Sequence, residues 1–430
     1  MVLTLANCTL ASLWPPVIYN AHLTIDNGVI TSISEHLPDR PGEIMQCGGR
    51  LLMPGLVCAH THLYSALARG MPAPTQAPRN FREILESIWW RLDRALNETS
   101  IRLSSLAGAL DAARCGATTL FEHHASPNCI EGSLDMIADG IDEIGLRAVL
   151  CYEVTDRGGR ERRDAGLAEN ERFLKQSRTR IRGMVGAHAA FTLGEESLGR
   201  IADLARANGT GVHIHVAEDL WDEEYSLATY GVRTAQRLLQ AGVLREQSIL
   251  AHGVHLDDNE FATIHSAGSW LVHNCRSNMN NAVGHARPLA FGARSALGTD
   301  GIDHDMFAES RTAFFRTRES DPNVSAERCT QMLAGGGVLA SEHFGLPISA
   351  LEAGAAADLL LMRYDPPTPL TAENLAWHWM YALTSRHVES VMVDGAWIIR
   401  DGQFCNVDEE RIRAQARVSA GRLWQKMEAL

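Results

Sequence analysis

The chain of 430 residues is long enough for two or three domains, or for one large barrel with an appended piece. Its 52 acidic and 39 basic residues give a net charge of −13, which argues for solubility and against binding to nucleic acid. The nine cysteines include no Cys-x-x-Cys pair, the amino terminus has no basic segment and no run of about 18 apolar residues occurs, so we expect a reduced cytoplasmic protein without a membrane span.

Both ends of the chain have the sequence pattern of β-structure. In HLTIDNGVITSIS (22–34), the dipeptide Asn27-Gly28 lies between alternating apolar runs and predicts a two-residue hairpin. Near the other end, SVMVDGAWIIRDG (390–402) repeats the pattern with Asp394-Gly395 at its turn, and ADLLLMRYD (357–365) precedes it. We therefore expect one small sheet domain that both termini complete.

The middle of the chain alternates short apolar runs with longer amphipathic stretches, which is the pattern of a parallel sheet wrapped by helices. Roughly 300 residues of this pattern suit an eight-stranded barrel. The predicted fold is α/β, with a TIM-like (β/α)8 barrel over 55–354 and a small β-sandwich domain built from 1–54 and 355–408. Residues 409–430 predict an amphipathic helix that packs on the barrel or on a neighbouring subunit.

The first apolar run of the middle part, LLMPGLVCAHTHLYSA (51–66), leads into His60 and His62. Side chains two residues apart in a strand point to the same face, so both imidazoles can aim at one point beyond the carboxyl edge of a sheet. Neutral imidazole suits zinc or iron. A His-x-His pair also arises by chance, as His213 and His215 illustrate, so the pair becomes informative only together with later residues.

Polar residues follow the later apolar runs in the order that a metal site in a barrel requires. They are Glu122, His123 and His124 in GATTLFEHHASP, His188 in GMVGAHAAFT, His215 and Glu218 in GVHIHVAEDL, His252 in SILAHGVHL, Asn274, Ser277, Asn278 and Asn281 in WLVHNCRSNMNNAVGHA, and Asp300 in SALGTDGIDHDMF. The carboxyl ends of barrel strands meet at one rim, where active sites lie. The order therefore predicts a metal site at that rim.

The stretches PGLVCAHTH, GATTLFEHH, HIHVAED, LAHG, the RSN loop and GTDG together resemble the amidohydrolase superfamily, in its branch of nucleobase-type deaminases and triazine hydrolases. Two-metal members of that superfamily bridge their ions through a carboxylated lysine on the fourth strand. The only lysines here, Lys175 and Lys426, lie elsewhere, so one divalent ion per chain is expected. The resemblance implies zinc, with iron as the alternative, bound by His60, His62, His215 and Asp300.

The resemblance and general chemistry together imply a mechanism. A bound divalent cation lowers the pKa of water toward about 7 and so supplies hydroxide at neutral pH. Asp300 would accept the proton of that water, Glu218 would protonate the ring nitrogen beside the attacked carbon, and His252 would orient the water or the developing oxygen. The expected activity is hydrolytic deamination of a nitrogen heterocycle, such as a purine or pyrimidine, with release of ammonia.

Loops at the rim are expected to contact the substrate, a small heterocyclic molecule. For Trp89 and its neighbour Trp90 the alternative is packing of their helix on the barrel, and for His188 it is a hydrogen-bonded position in the core. The candidate substrate-binding residues are Trp89, Glu122, His123 (or its neighbour His124), His188, Arg276, Asn278 and Asp303.

Two other activities stay open at this stage. The same site could open the ring of a cyclic amide or displace chloride from a triazine, and a non-catalytic metal-binding protein could retain the barrel. The presence of Glu218, together with the missing lysine on the fourth strand, favours deamination. The resemblance also implies a homodimer or a higher homo-oligomer.

Overall fold

The computed structural model describes residues 2–40 and 42–430, so Met1 and Pro41 of the predicted segment 1–54 lie outside the described residues. The strands form two nine-stranded sheets. In chain order they are β1 (Leu3–Leu13), β2 (Pro16–Asp26), β3 (Val29–Ser34), β4 (Glu43–Gln46), β5 (Leu51–Pro54), β6 (Leu56–Thr61), β7 (Ala117–His124), β8 (Arg147–Val154), β9 (Ile181–Gly183), β10 (Val185–Ala189), β11 (Val212–Val216), β12 (Ile249–His252), β13 (Trp270–His273), β14 (Ser295–Leu297), β15 (Leu359–Met362), β16 (Val388–Val393), β17 (Ala396–Arg400) and β18 (Gln403–Phe404).

Both chain ends build the first sheet, in the order β18-β17-β16-β15-β5-β1-β2-β3, with β4 paired to β1. The predicted turns join β2 to β3 and β16 to β17, and both of their central residues have positive φ, as a tight hairpin requires. The nearer strands of the two hairpins, β16 and β2, lie four strand positions apart, roughly 19 Å in a flat sheet. A Cβ on Gly28 would nevertheless lie 2.9 Å from the carbonyl oxygen of Asp394, so the sheet curls back on itself as a small β-sandwich.

The second sheet is the barrel, with strands in the order β14-β13-β12-β11-β10-β8-β7-β6 and β9 paired to β8. Its registered pairs are parallel, and most of its strands are buried along their whole length, as expected where helices cover a sheet. The first and last strands meet through a bridge between Thr61 and Asp300, and the Thr299 amide donates to the His60 carbonyl at 2.9 Å. The barrel therefore closes at the predicted metal site.

Helices surround the barrel and lie over its mouth. They are α1 (Phe81–Ile84), α2 (Trp90–Ala95), α3 (Glu98–Arg114), α4 (Ser133–Ile144), α5 (Gly159–Leu174), α6 (Glu195–Ala207), α7 (Leu220–Tyr230), α8 (Thr234–Gln240), α9 (Asp258–Ala267), α10 (Cys275–Asn280), α11 (Met306–Ser320), α12 (Ala326–Phe344), α13 (Leu375–Tyr381) and α14 (Glu409–Glu428). A π-helical turn, Leu85–Trp89, links α1 to α2. Helix α14 packs on the barrel side, where the Trp424 indole donates to the Leu67 carbonyl at 2.8 Å. None of the helices in the described residues combines the length and the apolarity that crossing a membrane requires.

Candidate active site

The end of β6 and the residue after it place His60 and His62 over the carboxyl rim of the barrel. Strand alternation directs both rings to the same side, where their Nε2 atoms lie 3.2 and 2.9 Å from Oδ1 of Asp300. His215 comes from the end of β11, and its Nε2 lies 3.2 Å from that of His62. The four side chains are buried and their ligand-type atoms all lie within 4.8 Å of one another. The structure thus brings together the four residues predicted to bind the metal.

The other ring nitrogen of each of these three histidines, Nδ1, makes a polar contact with a neighbouring residue. The Nδ1 of His62 donates to the His123 carbonyl at 2.5 Å, and that of His215 donates to the His188 carbonyl at 2.8 Å. The Nδ1 of His60 lies 2.8 Å from Nε2 of His213. Contacts of this kind fix the tautomer and direct Nε2 of each ring toward a shared cation.

The cluster fits a divalent cation by charge and by spacing. Burial lowers the pKa of His60 to about 3 and that of His215 well below its ordinary value, so both rings are neutral, as ligation requires. Burial acts to lower the pKa of His62, but the hydrogen bond to Asp300 and the nearby negative charges together outweigh burial and raise that pKa to about 9. Tetrahedral zinc with bonds of about 2.0–2.1 Å spaces its ligands by roughly 3.3 Å, close to the separations seen here.

Asp300 is oriented by its backbone and by a neighbouring hydroxyl. Its φ of 52° lies in the left-handed region, which a non-glycine residue adopts where the surroundings enforce it, often at functional sites. The Ser277 hydroxyl donates to Oδ2, which leaves Oδ1 facing the histidines. Burial alone would raise the pKa of Asp300, but hydrogen bonds from His60 and His62 hold it well below its ordinary value.

Glu218 lies beside this cluster, three residues after His215. Its Oε1 accepts from the Asn281 amide at 3.2 Å, and its Oε2 lies 3.5 Å from Nε2 of His252. Burial, and then repulsion from Asp300, raises the pKa of Glu218 well above its ordinary value, as suits a proton donor.

His252 ends β12 with a φ of 79°, another left-handed position at this rim. Its Nδ1 lies 2.7 Å from the side-chain oxygen of Asn278, which orients the ring and turns Nε2 toward Glu218. Asn278 therefore lies behind His252.

A cavity opens in front of the cluster. Its lining combines aromatic rings, carboxylates and histidines; the residues are His62, Tyr64, Phe81, Leu85, Trp89, Trp90, Asp93, Glu153, His188, Ala189, Phe191, His215, Glu218, Asp222, Asn281, Asp300 and Gly301. Trp89 and His188, two of the predicted substrate-binding residues, belong to this lining. The cavity contains five carboxylates, and among the described residues no lysine or arginine lines it.

The other five predicted contacts lie outside that lining, and one of them, Asn278, lies behind His252 as described above. Glu122 is buried and accepts from the Leu63 amide at 2.6 Å, and burial raises its pKa to about 8. The ring of His123 contacts the carbonyls of Ala187 and His213, although its own carbonyl anchors His62.

Arg276 and Asp303 form a two-armed ion pair with each other, at 2.9 and 2.5 Å. The Nε of Arg276 also donates to Glu309 at 2.6 Å. The N–H groups of this guanidinium that could have bound a substrate therefore donate to carboxylates of the protein instead.

Three acidic residues of the cavity, Asp93, Glu153 and Asp222, were not among the predicted site residues. Glu153 lies at the end of β8, so the rule that strand ends carry site residues could have found it. Asp93 and Asp222 lie in helices, where the local sequence is typical of solvent-exposed positions. Both side chains are nevertheless buried, because segments distant in sequence pack against them.

Residues 51–398 match the Amidohydrolase family. The chain belongs to this family. It is 31% identical over 397 residues to the 5-methylthioadenosine/S-adenosylhomocysteine deaminase of Desulforudis audaxviator, with 89% of each chain covered. It is 28% identical over 411 residues to the 5'-deoxyadenosine deaminase of Methanothermobacter thermautotrophicus, covering 93% of this chain and 94% of the relative.

Among solved structures, an adenosine deaminase from Xanthomonas campestris with bound zinc superposes with a TM-score of 0.86 at 22% identity over 98% of both chains. This similarity confirms the predicted barrel fold. Membership of the amidohydrolase family and its deaminase relatives confirm the prediction of a hydrolase that acts on carbon–nitrogen bonds and deaminates a nitrogen heterocycle. The ligand cluster supports a single divalent metal ion.

Proposed function

We propose that this amidohydrolase deaminates the 6-aminopurine ring of an uncharged nucleoside, with one divalent ion held by His60, His62, His215 and Asp300. Zinc is the proposed ion, since three imidazoles and one carboxylate suit it, and iron is the alternative. The relatives named for 5-methylthioadenosine and 5'-deoxyadenosine support the purine nucleoside class.

The observation that carries the proposal is the lining of the cavity. Five carboxylates and no described lysine or arginine face the substrate, so an anionic substrate such as a nucleotide is disfavoured. A nucleoside offers hydroxyl and amino donors from which carboxylates can accept hydrogen bonds, and the aromatic residues of the lining suit contact with a flat purine ring.

The reaction exchanges an amino group for oxygen at the ring carbon. His60, His62, His215 and Asp300 would hold a divalent ion, which would make hydroxide available from water at neutral pH. Glu218 donates a proton to the ring nitrogen beside the attacked carbon, so that the new carbon–oxygen bond forms without a full negative charge on the ring. Asp300 accepts the proton lost by water and passes it to the departing nitrogen, and His252 orients the oxygen. The carbon–nitrogen bond then breaks while the remaining proton on the new oxygen passes to Glu218, which yields ammonia and a ring carbonyl and restores the protonated Glu218.

Elemental analysis and an ammonia-release assay on the same preparation test this proposal. The panel contains adenosine, 5'-deoxyadenosine, 5'-methylthioadenosine, adenosine monophosphate, free adenine, guanine and an aminotriazine. We expect about one metal ion per chain and ammonia from the uncharged adenine nucleosides, with the monophosphate a far poorer substrate. Ammonia from guanine or the triazine alone would contradict the nucleoside class, and a preparation that binds no metal would contradict the ligand set.

A further inference from the structure

The last helix, α14, contacts two segments that flank the cavity in front of the metal-ligand cluster, which we call the catalytic cavity. The Trp424 indole donates to the Leu67 carbonyl at 2.8 Å, in the short 3₁₀ helix that begins directly after His62. Three residues further along α14, the Met427 carbonyl accepts from Nη2 of Arg91 at 2.6 Å, in helix α2. The end of α14 therefore joins the segment after the proposed metal ligands to a helix at the cavity wall.

Helix α2 carries the cavity wall on one face and Arg91 on another. Trp90 and Asp93, three residues apart, line the catalytic cavity. Each residue of an α-helix is turned by about 100° from its neighbour, so the side chain of Arg91 leaves the helix in a different direction. It reaches α14, where its Nη2 also lies 3.4 Å from the Glu428 carbonyl. The positions of Trp90 and Asp93 are thus coupled to the contact between Arg91 and α14.

The contact suits the end of a helix. Carbonyls of a last helical turn have no amide partner farther along the helix, and partial negative charge collects there. A guanidinium that donates to these carbonyls satisfies them and offsets that charge. The two carbonyls near Arg91 belong to the last two residues of α14, so this contact is stronger than one between two neutral groups.

Close packing does not complete the contact between α2 and α14. A second cavity lies beside it, and its lining includes Ser87, Arg91, Trp424, Met427 and the segment 71–75. An open space gives the side chains on that side fewer neighbours, so the hydrogen bonds from Arg91 supply a larger share of the attachment. Loss of Arg91 should therefore free α2 to move.

We propose that Arg91 is a positioning residue, which fixes α2 against the end of α14 and so holds Trp90 and Asp93 in place at the catalytic cavity. The C-terminal helix then determines the shape of the substrate site from the outside of the barrel. This inference rests on the proposed function, since it takes that cavity as the substrate site. Helix α2 supplies neither a proposed metal ligand nor the proposed proton donor, so its position affects binding rather than the chemical step.

The test measures hydrogen exchange and steady-state kinetics on the metal-loaded, full-length protein. In Arg91→Ala we expect the amides of α2 to exchange about tenfold faster than in the wild type, because α2 opens locally more often. A hydrogen bond to a charged group changes an equilibrium constant by roughly 10- to 100-fold, and only the part that binding restores appears in KM. For the best substrate of the ammonia panel we therefore expect KM to rise about 3- to 10-fold and kcat to stay within about twofold of the wild type.

Arg91→Lys is the conservative rescue. An ammonium also donates to the last carbonyls of a helix, so exchange in α2 and KM should both return to within about threefold of the wild type. Trp424→Phe keeps a ring but removes the donor to the Leu67 carbonyl, which loosens the end of α14. It should change both readouts in the same direction as Arg91→Ala, and it carries the test if Arg91→Ala does not fold.

Arg182→Ala is the matched control. Arg182 also donates to backbone carbonyls, at 2.7 and 3.0 Å, but it lies in β9, which pairs with the amino-terminal half of β8 away from the rim. Its loss should change neither readout.

Unchanged exchange in Arg91→Ala, or faster exchange with an unchanged KM, would overturn the positioning role. An equal effect in Arg182→Ala would also overturn it, since general loss of stability would then explain the result, and so would a failure of Arg91→Lys to restore both readouts. Hydrogen exchange needs no substrate. If no member of the panel releases ammonia, the proposed function is wrong, while the exchange rates still decide whether Arg91 fixes α2.

Discussion

At the scale of single residues, Glu218 tests the proposed chemistry most directly. Glu218→Gln removes the proton donor and keeps the size of the side chain that contacts Asn281. We expect kcat to fall by roughly 10²- to 10⁴-fold, the usual contribution of a general acid or base, while elemental analysis gives the metal content of the wild type. His215→Ala should instead lose the metal. Unchanged turnover in Glu218→Gln would remove this residue from the mechanism.

The hydroxyl of Ser277 is expected to raise the affinity of the site for its metal ion by orienting the carboxylate of Asp300. Ser277→Ala removes the donor to Oδ2, so the carboxylate can rotate away from the histidines. Loss of such a supporting contact typically costs 10- to 100-fold in metal affinity, which competition with a chelator measures. Ser266→Ala, whose hydroxyl serves only the Ala262 carbonyl on α9, is the matched control. Equal affinities in the two variants would contradict the orienting role.

Site residues can be predicted from the sequence where their spacing follows the alternation of side chains along a strand. His60 and His62 were expected on one face because strand side chains alternate, and the structure directs both at Asp300. Asp93 could not be found in this way. Its burial and its bond to Arg157 join segments 64 positions apart, and nothing local distinguishes this carboxylate from a solvent-facing one.

At the scale of elements, the π-helical turn and the end of the last barrel strand meet at the cavity. A Cβ on Gly301 would lie 3.1 Å from Cη2 of Trp89, closer than ordinary packing. Gly301→Ala should therefore displace Trp89 and raise the KM of the substrate several-fold, with metal content unchanged in elemental analysis. Gly199→Ala, on the open face of α6, has free space and should leave KM unchanged. An unaltered KM in Gly301→Ala would show that the position of Trp89 does not matter for binding.

Strands were easier to predict than the elements over the cavity mouth. The stretch GATTLFEHH predicted a strand, and β7 spans Ala117–His124 with every residue buried, as expected for a strand covered on both faces. A helix at Trp89 and Trp90 was expected, but nothing in the sequence predicted the π-helical turn Leu85–Trp89. Five residues of 81–93 line the cavity, whereas the predicted contacts Arg276 and Asp303 pair with each other outside it.

At the scale of the whole molecule, one buried arginine joins the barrel to the β-sandwich. Arg147, at the start of β8, pairs with Asp358 at 2.6 Å and with Asp394 at 2.8 Å. Arg147→Met leaves the carboxylate of Asp358 buried without its partner, which should lower the free energy of unfolding by about 3–5 kcal/mol in urea titrations of the metal-loaded protein.

The control for this change is Arg82→Met, which breaks an exposed pair with Glu86 one helical turn away. A pair of that kind contributes about 0.3–0.5 kcal/mol. Equal losses in the two variants would mean that the Arg147 pairs do not couple the two parts of the molecule. The expected homodimer or larger assembly stays a prediction, which light scattering on the eluted protein checks.

The closure of the barrel at Thr61 and Asp300 has a consequence for local opening. The proposed ligands lie on both sides of that seam, with His60 and Asp300 separated by 240 positions in sequence. A cation bound from both sides would link the two ends of this long loop, so the seam could open and regain the entropy lost on closure only after the metal contacts broke. We expect added zinc to slow amide hydrogen exchange in β6 and β14 far more than in β9, which lies at the margin of the sheet. The exchange rate of β6 and β14 therefore reports how much of the protein has bound metal.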